Sequence, residues 1–334
     1  MKAIVIGGAG YVGGHLCKAL AGAGIDFLVY DNLSTGHADF VRWSPLVQGD
    51  INDTVLLKRT MEDNGVDTVF HFAAKAYVGE SVVDPEKYYV NNVRGSISLL
   101  EAMRGAGVRH IVFSSTCAVY GQPDRMPINE QTTPLPINPY GRTKLMIESA
   151  LADYSAAYGI VYAALRYFNA AGADRGGEIG ELHDPEPHVI PRILMAAAGQ
   201  LPAIEVMGTD YPTPDGTAVR DYIHVDDLAE FHLRAVRHIR ASGESITVNL
   251  GTGAGKSVRE LIDAAERVTG CKIPVIDSPR RPGDPPSLVA DPAKAEQLLG
   301  YRAQYSDVDT VMATAWQWLQ QTSAVSSPSL QARA

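Results

Sequence analysis

Lys2-Ala-Ile-Val-Ile6 runs straight into Gly7-Gly-Ala-Gly10-Tyr-Val-Gly13 at the start of the chain. The first five residues read as a short buried strand, and the stretch through Leu20 carries the apolar spacing of an amphipathic helix. Strand, glycine turn and helix in that order suit a dinucleotide pyrophosphate. Glycines let the backbone approach the phosphates, and the helix N-terminus offers unpaired N–H groups with a partial positive charge. The spacing is G-x-x-G-x-x-G rather than the G-x-G-x-x-G of the standard fingerprint. A second apolar run, Phe27-Leu-Val-Tyr30, ends at Asp31, about 20 residues after the turn, where that fingerprint places an acidic residue. A carboxylate there accepts from both ribose hydroxyls and repels a 2′-phosphate, which selects NAD over NADP. The plainer reading of Asp31, a turn residue closing a strand, ranks below the cofactor reading.

Working outward, strands and helices alternate through the first half. Leu46-Val-Gln48 precedes a helix from about Asp53, and Thr68-Val-Phe-His-Phe72 precedes a long helix from about Pro85. His110-Ile-Val-Phe113, a helix opened by Asn138-Pro139, and Val161-Tyr-Ala-Ala-Leu165 complete the series. Asn138 is a good N-cap and Pro139 a good first helical residue. Repeated β-α units imply an α/β fold: a doubly wound, Rossmann-type parallel sheet with helices on both faces. From about Asn169 the texture turns to loops rich in Gly, Pro and Asp. The expected division is a dinucleotide-binding domain over 1–168, with about 217–253 contributing. A smaller C-terminal α/β substrate lobe takes 169–216 and 254–321. The Ser- and Ala-rich segment 322–334 lacks periodicity and is expected to be disordered.

The helix opened by Asn138 carries Tyr140-Gly-Arg-Thr-Lys144. Residues four apart share a helix face, about 6 Å from one another. That spacing sets a phenol beside an ammonium, and a nearby cation lowers a phenol's pKa by about 1–3 units. Thr116, ending a strand, supplies a hydroxyl for the same oxygen. Such a trio suits a reaction that removes a proton from an alcohol as a hydride leaves its carbon. Tyr-x-x-x-Lys also occurs by chance on exposed helices; here it follows a dinucleotide turn.

Of the 334 residues, 46% are hydrophobic, and the formal net charge is −9. An acidic chain without a basic stripe is not expected to bind nucleic acid. The opening apolar run is a strand's length without a cleavage site, and nothing approaches the ~18 consecutive apolar residues of a membrane span. Three cysteines, Cys17, Cys117 and Cys271, are odd in number and far apart, which fits a reducing cytoplasm.

Assembled, the chain resembles the extended short-chain dehydrogenase/reductase family and, within it, the UDP-hexose 4-epimerases, over about residues 1–321. Besides the glycine turn, the resemblance rests on Asp31-Asn-Leu33, Gly49-Asp-Ile51, His71-Phe-Ala-Ala74, Val78-Gly-Glu-Ser81 and Asn91-Asn-Val93. It continues through Ser114-Ser-Thr-Cys-Ala-Val-Tyr-Gly121, Asn138 to Lys144, and Arg166-Tyr-Phe-Asn-Ala-Ala-Gly172. The later segments are Gly208 to Thr213, Asp215 to Val225, Asn249 to Gly253, and Arg280-Arg-Pro-Gly-Asp284.

By position, the resemblance implies NAD contacts from Gly7, Gly10, Tyr11, Val12, Gly13, Asp31, Asn32 and Ser114. Asp50 and Ile51 would bracket the adenine, Phe72, Ala73 and Ala74 would line the cleft, and Asn92 would face the phosphates. Tyr140 and Lys144 would hold the nicotinamide ribose, and Tyr167 would pack near the nicotinamide. Thr116, Asn169, His188, Val189, Val206, Arg220, Arg281 and Asp284 would hold a UDP-sugar, the two arginines because a guanidinium fork matches phosphate oxygens. Two departures stand out. Many epimerases place a lysine on the cofactor at the position of Ala76, whereas Lys75 lies one residue earlier. His188 replaces an asparagine that some members hold near the sugar.

The implied activity is NAD-dependent interconversion of UDP-glucose and UDP-galactose, with catalytic residues Thr116, Tyr140 and Lys144. Tyr140 takes the 4-hydroxyl proton while the C4 hydride leaves, a 4-keto sugar turns over, and the hydride returns to the other face. Lys144 is expected to lower the tyrosine pKa. Alternatives are a 4-epimerase of another UDP-sugar (N-acetylglucosamine, glucuronate or arabinose forms) and a non-catalytic NAD-sensing protein, which commonly loses the Tyr-x-x-x-Lys pair. A sugar-nucleotide 4,6-dehydratase would carry an Asp-Glu pair where Cys117-Ala118 stands. The resemblance further implies a homodimer in which the helices after Pro85 and Pro139 form a four-helix bundle. Leu145, Ile147, Leu151, Tyr154 and Tyr158 exceed one inward stripe, although packing within the subunit explains them equally.

Three motifs read as decoys. Gly251-Thr-Gly-Ala-Gly255-Lys256-Ser257 resembles a phosphate loop, but Leu250 occupies the required first glycine, and Ser257 with Glu260 forms a capping box. His183-Asp-Pro-Glu-Pro-His188 offers nitrogen and oxygen ligands, yet two prolines do not fix a tetrahedron, so a substrate-covering loop is expected and no metal. Cys117 follows Thr116, and without a histidine partner it reads as a small buried residue.

Overall fold

The computed structural model describes residues 1–281 and 283–326. Seven parallel strands form the central sheet in the order Ile246–Leu250, Val161–Tyr167, His110–Thr116, Thr68–His71, Lys2–Ile6, Asp26–Asp31, Leu46–Gln48. The inner strands are buried on both faces, which is why they read as continuous apolar runs, whereas the edge strand Leu46–Gln48 is not. Ala3, Val5, Val29, Phe70 and Val112 pack on one side against Leu16, Leu20, Phe231 and Leu228. Ile4, Ile6, Leu28, Val69 and Phe113 pack on the other against Leu57, Leu99, Ile147 and Leu151. The strand order reverses at Lys2–Ile6, and a crevice at the carboxyl ends beside such a reversal is where this fold binds ligands. Gly7, Phe72, Thr116 and Tyr167 all stand at those ends.

The Tyr140 helix spans Pro139–Tyr158 and starts as expected, with the Asn138 side chain accepting from Gly141 N at 2.8 Å. It stops at Gly159, whose φ of 69° suits a residue without Cβ. The helix after Pro85 differs from expectation. Its first turn, Pro85–Tyr88, leads into a π-helical stretch, Tyr89–Arg94, before the regular helix Gly95–Ala106 resumes. Such widened turns recur at functional sites, and this one carries the buried Asn92.

A third apolar core lies apart from the sheet. Ile190, Ile193 and Leu194 of the helix Val189–Ala197 meet Leu261, Ala264 and Ala265 of Val258–Thr269 and Val311 and Met312 of the last helix. That last helix, Val308–Ser326, enters the segment expected as a disordered tail. Within it the Thr322 and Ser323 hydroxyls donate to the Trp318 and Leu319 carbonyls. Residues 327–334 lie outside the described residues.

Candidate active site

The glycine turn is shaped for close approach. Gly7 adopts φ 84°, and a Cβ on it would lie 2.5 Å from Ala73 N; one on Gly13 would lie 2.3 Å from Gly7 O. The helix Tyr11–Gly22 begins at Gly10 with no side-chain cap and no acidic residue in its first turn. Its N–H groups and partial charge therefore point at the crevice unopposed, which fits a pyrophosphate. Asp31 is 8% exposed. Its two oxygens accept from Ala9 N (3.0 Å) and Leu33 N (2.8 Å), so the carboxylate is fixed by the very loop it accompanies. Asn32 donates to Asp50 at 3.0 Å, joining two residues expected to contact NAD. Ile51 is buried against Gly95, and Phe72 N and Ala73 N both donate to Ile6 O (2.8 and 3.0 Å). Tyr11 donates to Gly172 O at 2.5 Å, so its hydroxyl ties the turn to the chain beyond Tyr167. These features fit NAD.

Asn92 takes a less direct place than expected. Its amide oxygen accepts from Lys75 N (2.8 Å) and its nitrogen donates to Lys75 O (3.0 Å) and Thr143 Oγ1 (3.1 Å). The side chain is thus saturated as a brace between the segment after His71 and the Tyr140 helix. The Lys75 ammonium reaches Ser34 Oγ at 3.0 Å, beside the Asp31 turn, and burial holds its pKa below the usual lysine value.

At the other end, Thr116 (7% exposed) is hydrogen-bonded to the half-buried Tyr140. Ser114 and Tyr167 share a short hydrogen bond between their hydroxyls. Lys144 is 2% exposed and donates to Ser114 O at 2.6 Å, with its ammonium 4.9 Å from the Phe113 ring centre and 6.0 Å from that of Tyr140. The electrostatics run opposite to the expected lowering of the Tyr140 pKa. Burial, followed by the Tyr167 phenol, pushes Tyr140 above the ordinary tyrosine value, with the Thr116 bond opposing. Lys144 is no counterweight, because burial pulls its own pKa down to about 7 against the pull of Glu148. Desolvating the ammonium outweighs its benefit to the phenol.

Glu148, one turn beyond Lys144, escaped the sequence reading. It is 7% exposed, accepts from Ser115 Oγ at 2.5 Å and Arg166 Nε at 2.9 Å, and pairs with the rest of that guanidinium. Arg166 also donates to Tyr120 OH at 2.9 Å. The helix bearing Tyr140 is thereby bolted to two strands. An acid four residues after Lys144 on the same helical face was the available signal.

Among the residues expected to hold a UDP-sugar, Arg220 and Asp284 meet at 2.6 Å. Arg281, three residues before Asp284, is exposed, and Asn169 lies in the strand Asn169–Ala171 paired with Tyr222–His224. Val206 does not face the crevice: its side chain is 0% exposed and belongs to the third core, so any contact would run through its backbone. Val189 opens the helix Val189–Ala197, and His188 precedes it. His188 is tied to carboxylates, with Nδ1 2.7 Å from Glu181 Oε1 and 2.8 Å from Glu186 Oε1.

The decoy motifs resolve physically. Both halves of the Ser257–Glu260 capping box are present. The loop's phosphate-like donors are already taken: Thr252 N (2.8 Å) and Gly253 N (3.0 Å) donate to the fully buried Asp221. Burial pushes the Cys117 thiol up to about 12, so it is no nucleophile. All three cysteines are unpaired.

A glycine turn, a buried acid closing the second strand and a Thr-Tyr-Lys group on one doubly wound sheet define an NAD-dependent enzyme of the short-chain dehydrogenase type. Residues 3–251 match the NAD dependent epimerase/dehydratase family. A UDP-glucose 4-epimerase of Rhizobium meliloti (strain 1021) is 50% identical over 94% of this chain and 96% of its own. The crystal structure of UDP-glucose 4-epimerase from Brucella ovis in complex with NAD superposes with a TM-score of 0.92 at 56% identity, covering 94% of this chain and 97% of that one. The enzyme of the same name from Bifidobacterium longum, in complex with NAD+ and UDP, gives 0.91 at 38% identity over 97% and 99%. The chain belongs to the NAD-dependent epimerase/dehydratase family, among the UDP-glucose 4-epimerases.

Proposed function

We propose that this enzyme interconverts UDP-glucose and UDP-galactose by removing and restoring the hydrogen at C4. The carrying observation is the meeting of Thr116, Tyr140 and Lys144 at the sheet's carboxyl end, on the sheet whose Gly7 turn and Asp31 form the nucleotide seat. NAD, when bound there, supplies a hydride acceptor and a positive charge. Tyr140 accepts the 4-hydroxyl proton and later returns it, and Thr116 holds the 4-oxygen in both states. Lys144, anchored on the Ser114 carbonyl, fixes the ribose side and keeps a proton in reach near neutral pH.

Arg220 and Arg281 clamp the diphosphate, with Asp284 holding the Arg220 fork in position. The 4-keto sugar turns over about that linkage before the hydrogen returns. The substrate lobe comprises 169–216 and 254–321, facing the NAD-binding domain of 1–168 and about 217–253. No helix among the described residues is long and apolar enough to cross a membrane. Unpaired cysteines support a cytoplasmic setting, and exposed Val90 and Met146, with Val82 and Val83 at the end of the preceding helix Val78–Val83, support a homodimer through the helices after Pro85 and Pro139. A chromatographic screen against UDP-glucose, UDP-galactose, their N-acetyl forms, UDP-glucuronate and UDP-arabinose tests the substrate. Conversion between the first two is expected; conversion confined to another pair would move the reading to that sugar.

A further inference from the structure

We propose that Glu181, His183, Glu186 and His188 form a divalent metal site, best suited to zinc, that fixes the loop entering the helix Val189–Ala197. One ligand atom from each residue lies within 4.8 Å of all the others. From the sequence this loop was expected to cover the substrate and hold no metal, because two prolines do not fix a tetrahedron; the fold brings in Glu181, two residues ahead of His183.

The geometry favours an ion. Ligand atoms at about 2.0–2.2 Å from tetrahedral zinc stand roughly 3.4 Å apart. His183 Nδ1 lies 3.4 Å from an oxygen of Glu181 and 3.4 Å from one of Glu186. That atom is buried and makes no hydrogen bond. Drawn in as an ion pair it would sit closer to one carboxylate, whereas ligation holds it equidistant from both. The His188 separations, 2.7 and 2.8 Å, are shorter and would open by about half an ångström on ligation. The Tyr77 ring stands edge-on to both imidazoles, 5.8 and 5.9 Å away, which fixes their planes.

Charge agrees with geometry. The carboxylates of Glu181 and Glu186 are 9% and 7% exposed, so two negative charges share a poorly solvated spot. Burial lowers the His183 and His188 pKa values, but the two carboxylates prevail and raise them to about 9 and 10. The cluster is therefore neutral at pH 7 with both histidines protonated. One divalent ion replaces those two protons without changing the total, and mixed imidazole–carboxylate sets suit zinc. Uptake then releases about two protons per ion.

The test uses the full chain without a histidine tag, stripped with chelator and titrated calorimetrically with zinc in two buffers of different ionisation enthalpy. One zinc per chain with release of about two protons is expected. Cobalt in its place should give the strong visible bands of a four-coordinate ion. His183→Gln and Glu186→Gln, checked for folding by circular dichroism, should each weaken binding at least tenfold. No stoichiometric uptake by the wild-type chain would overturn the site, leaving a histidinium–carboxylate cluster. Uptake that survives both substitutions would overturn it equally.

Discussion

Burial favours the neutral form of both Tyr140 and Lys144, keeping the phenol protonated and pulling the ammonium's pKa down to about 7. Tyr140→Phe removes only the proton carrier. Turnover of UDP-galactose should fall by about 10²–10⁴ while NAD content and folding persist, read by steady-state rates and by the nucleotide released on denaturation. Lys144 yields a pH prediction. Its folded value near 7 lies below the ordinary 10.5, so between those values the unfolded chain binds more protons and stability rises with pH. Lys144→Met should therefore stabilise the cofactor-free protein most at pH 6, by up to about 5 kcal/mol before lost hydrogen bonds are counted, read as a higher melting temperature. The gain should shrink towards pH 10. A constant or growing gain would show that the lysine is not desolvated as described.

Among elements, the Tyr140 helix depends on the Glu148–Arg166 pair to keep its register against the strand Val161–Tyr167. Glu148→Gln leaves a buried guanidinium half-paired and should cost about 3–5 kcal/mol, seen as a lower urea midpoint with unchanged slope. Gly7→Ala meets both a positive φ and the Ala73 backbone; a strain of about 1–3 kcal/mol and loss of bound NAD are expected from thermal unfolding and nucleotide analysis. Much at this scale was legible in the sequence. Asn138-Pro139 marked the start of the Tyr140 helix because capping is local, and Asp31 followed the glycine turn at a set spacing. What stayed hidden needed contacts across the chain. The weakening of Lys144 arises from its burial against a strand about 30 residues away in sequence, whose Ser114 carbonyl it reaches. The π-helical turn at Asn92 answers to the Lys75 backbone, and the decoy loop is silenced by Asp221, which no local pattern connects to it.

For the whole molecule, the bundle helices were expected to expose apolar residues. Ile147 and Leu151 are instead buried in their own subunit, Leu145 and Tyr154 are half-buried against its cores, and of the five only Tyr158 is exposed. Val83 (86% exposed) and Met146 (47%) carry the proposed dimer instead. Light scattering at micromolar concentration should give twice the chain mass, and Val83→Asp with Met146→Glu should shift it towards one; a wild-type monomer would refute the pairing. Epimerisation itself is tested most directly by NMR in D₂O with UDP-galactose and no added nucleotide. UDP-glucose is predicted to appear with ordinary hydrogen at C4, since the hydride leaves and returns without meeting solvent. Absence of UDP-glucose, or deuterium at C4 of the product, would contradict the mechanism.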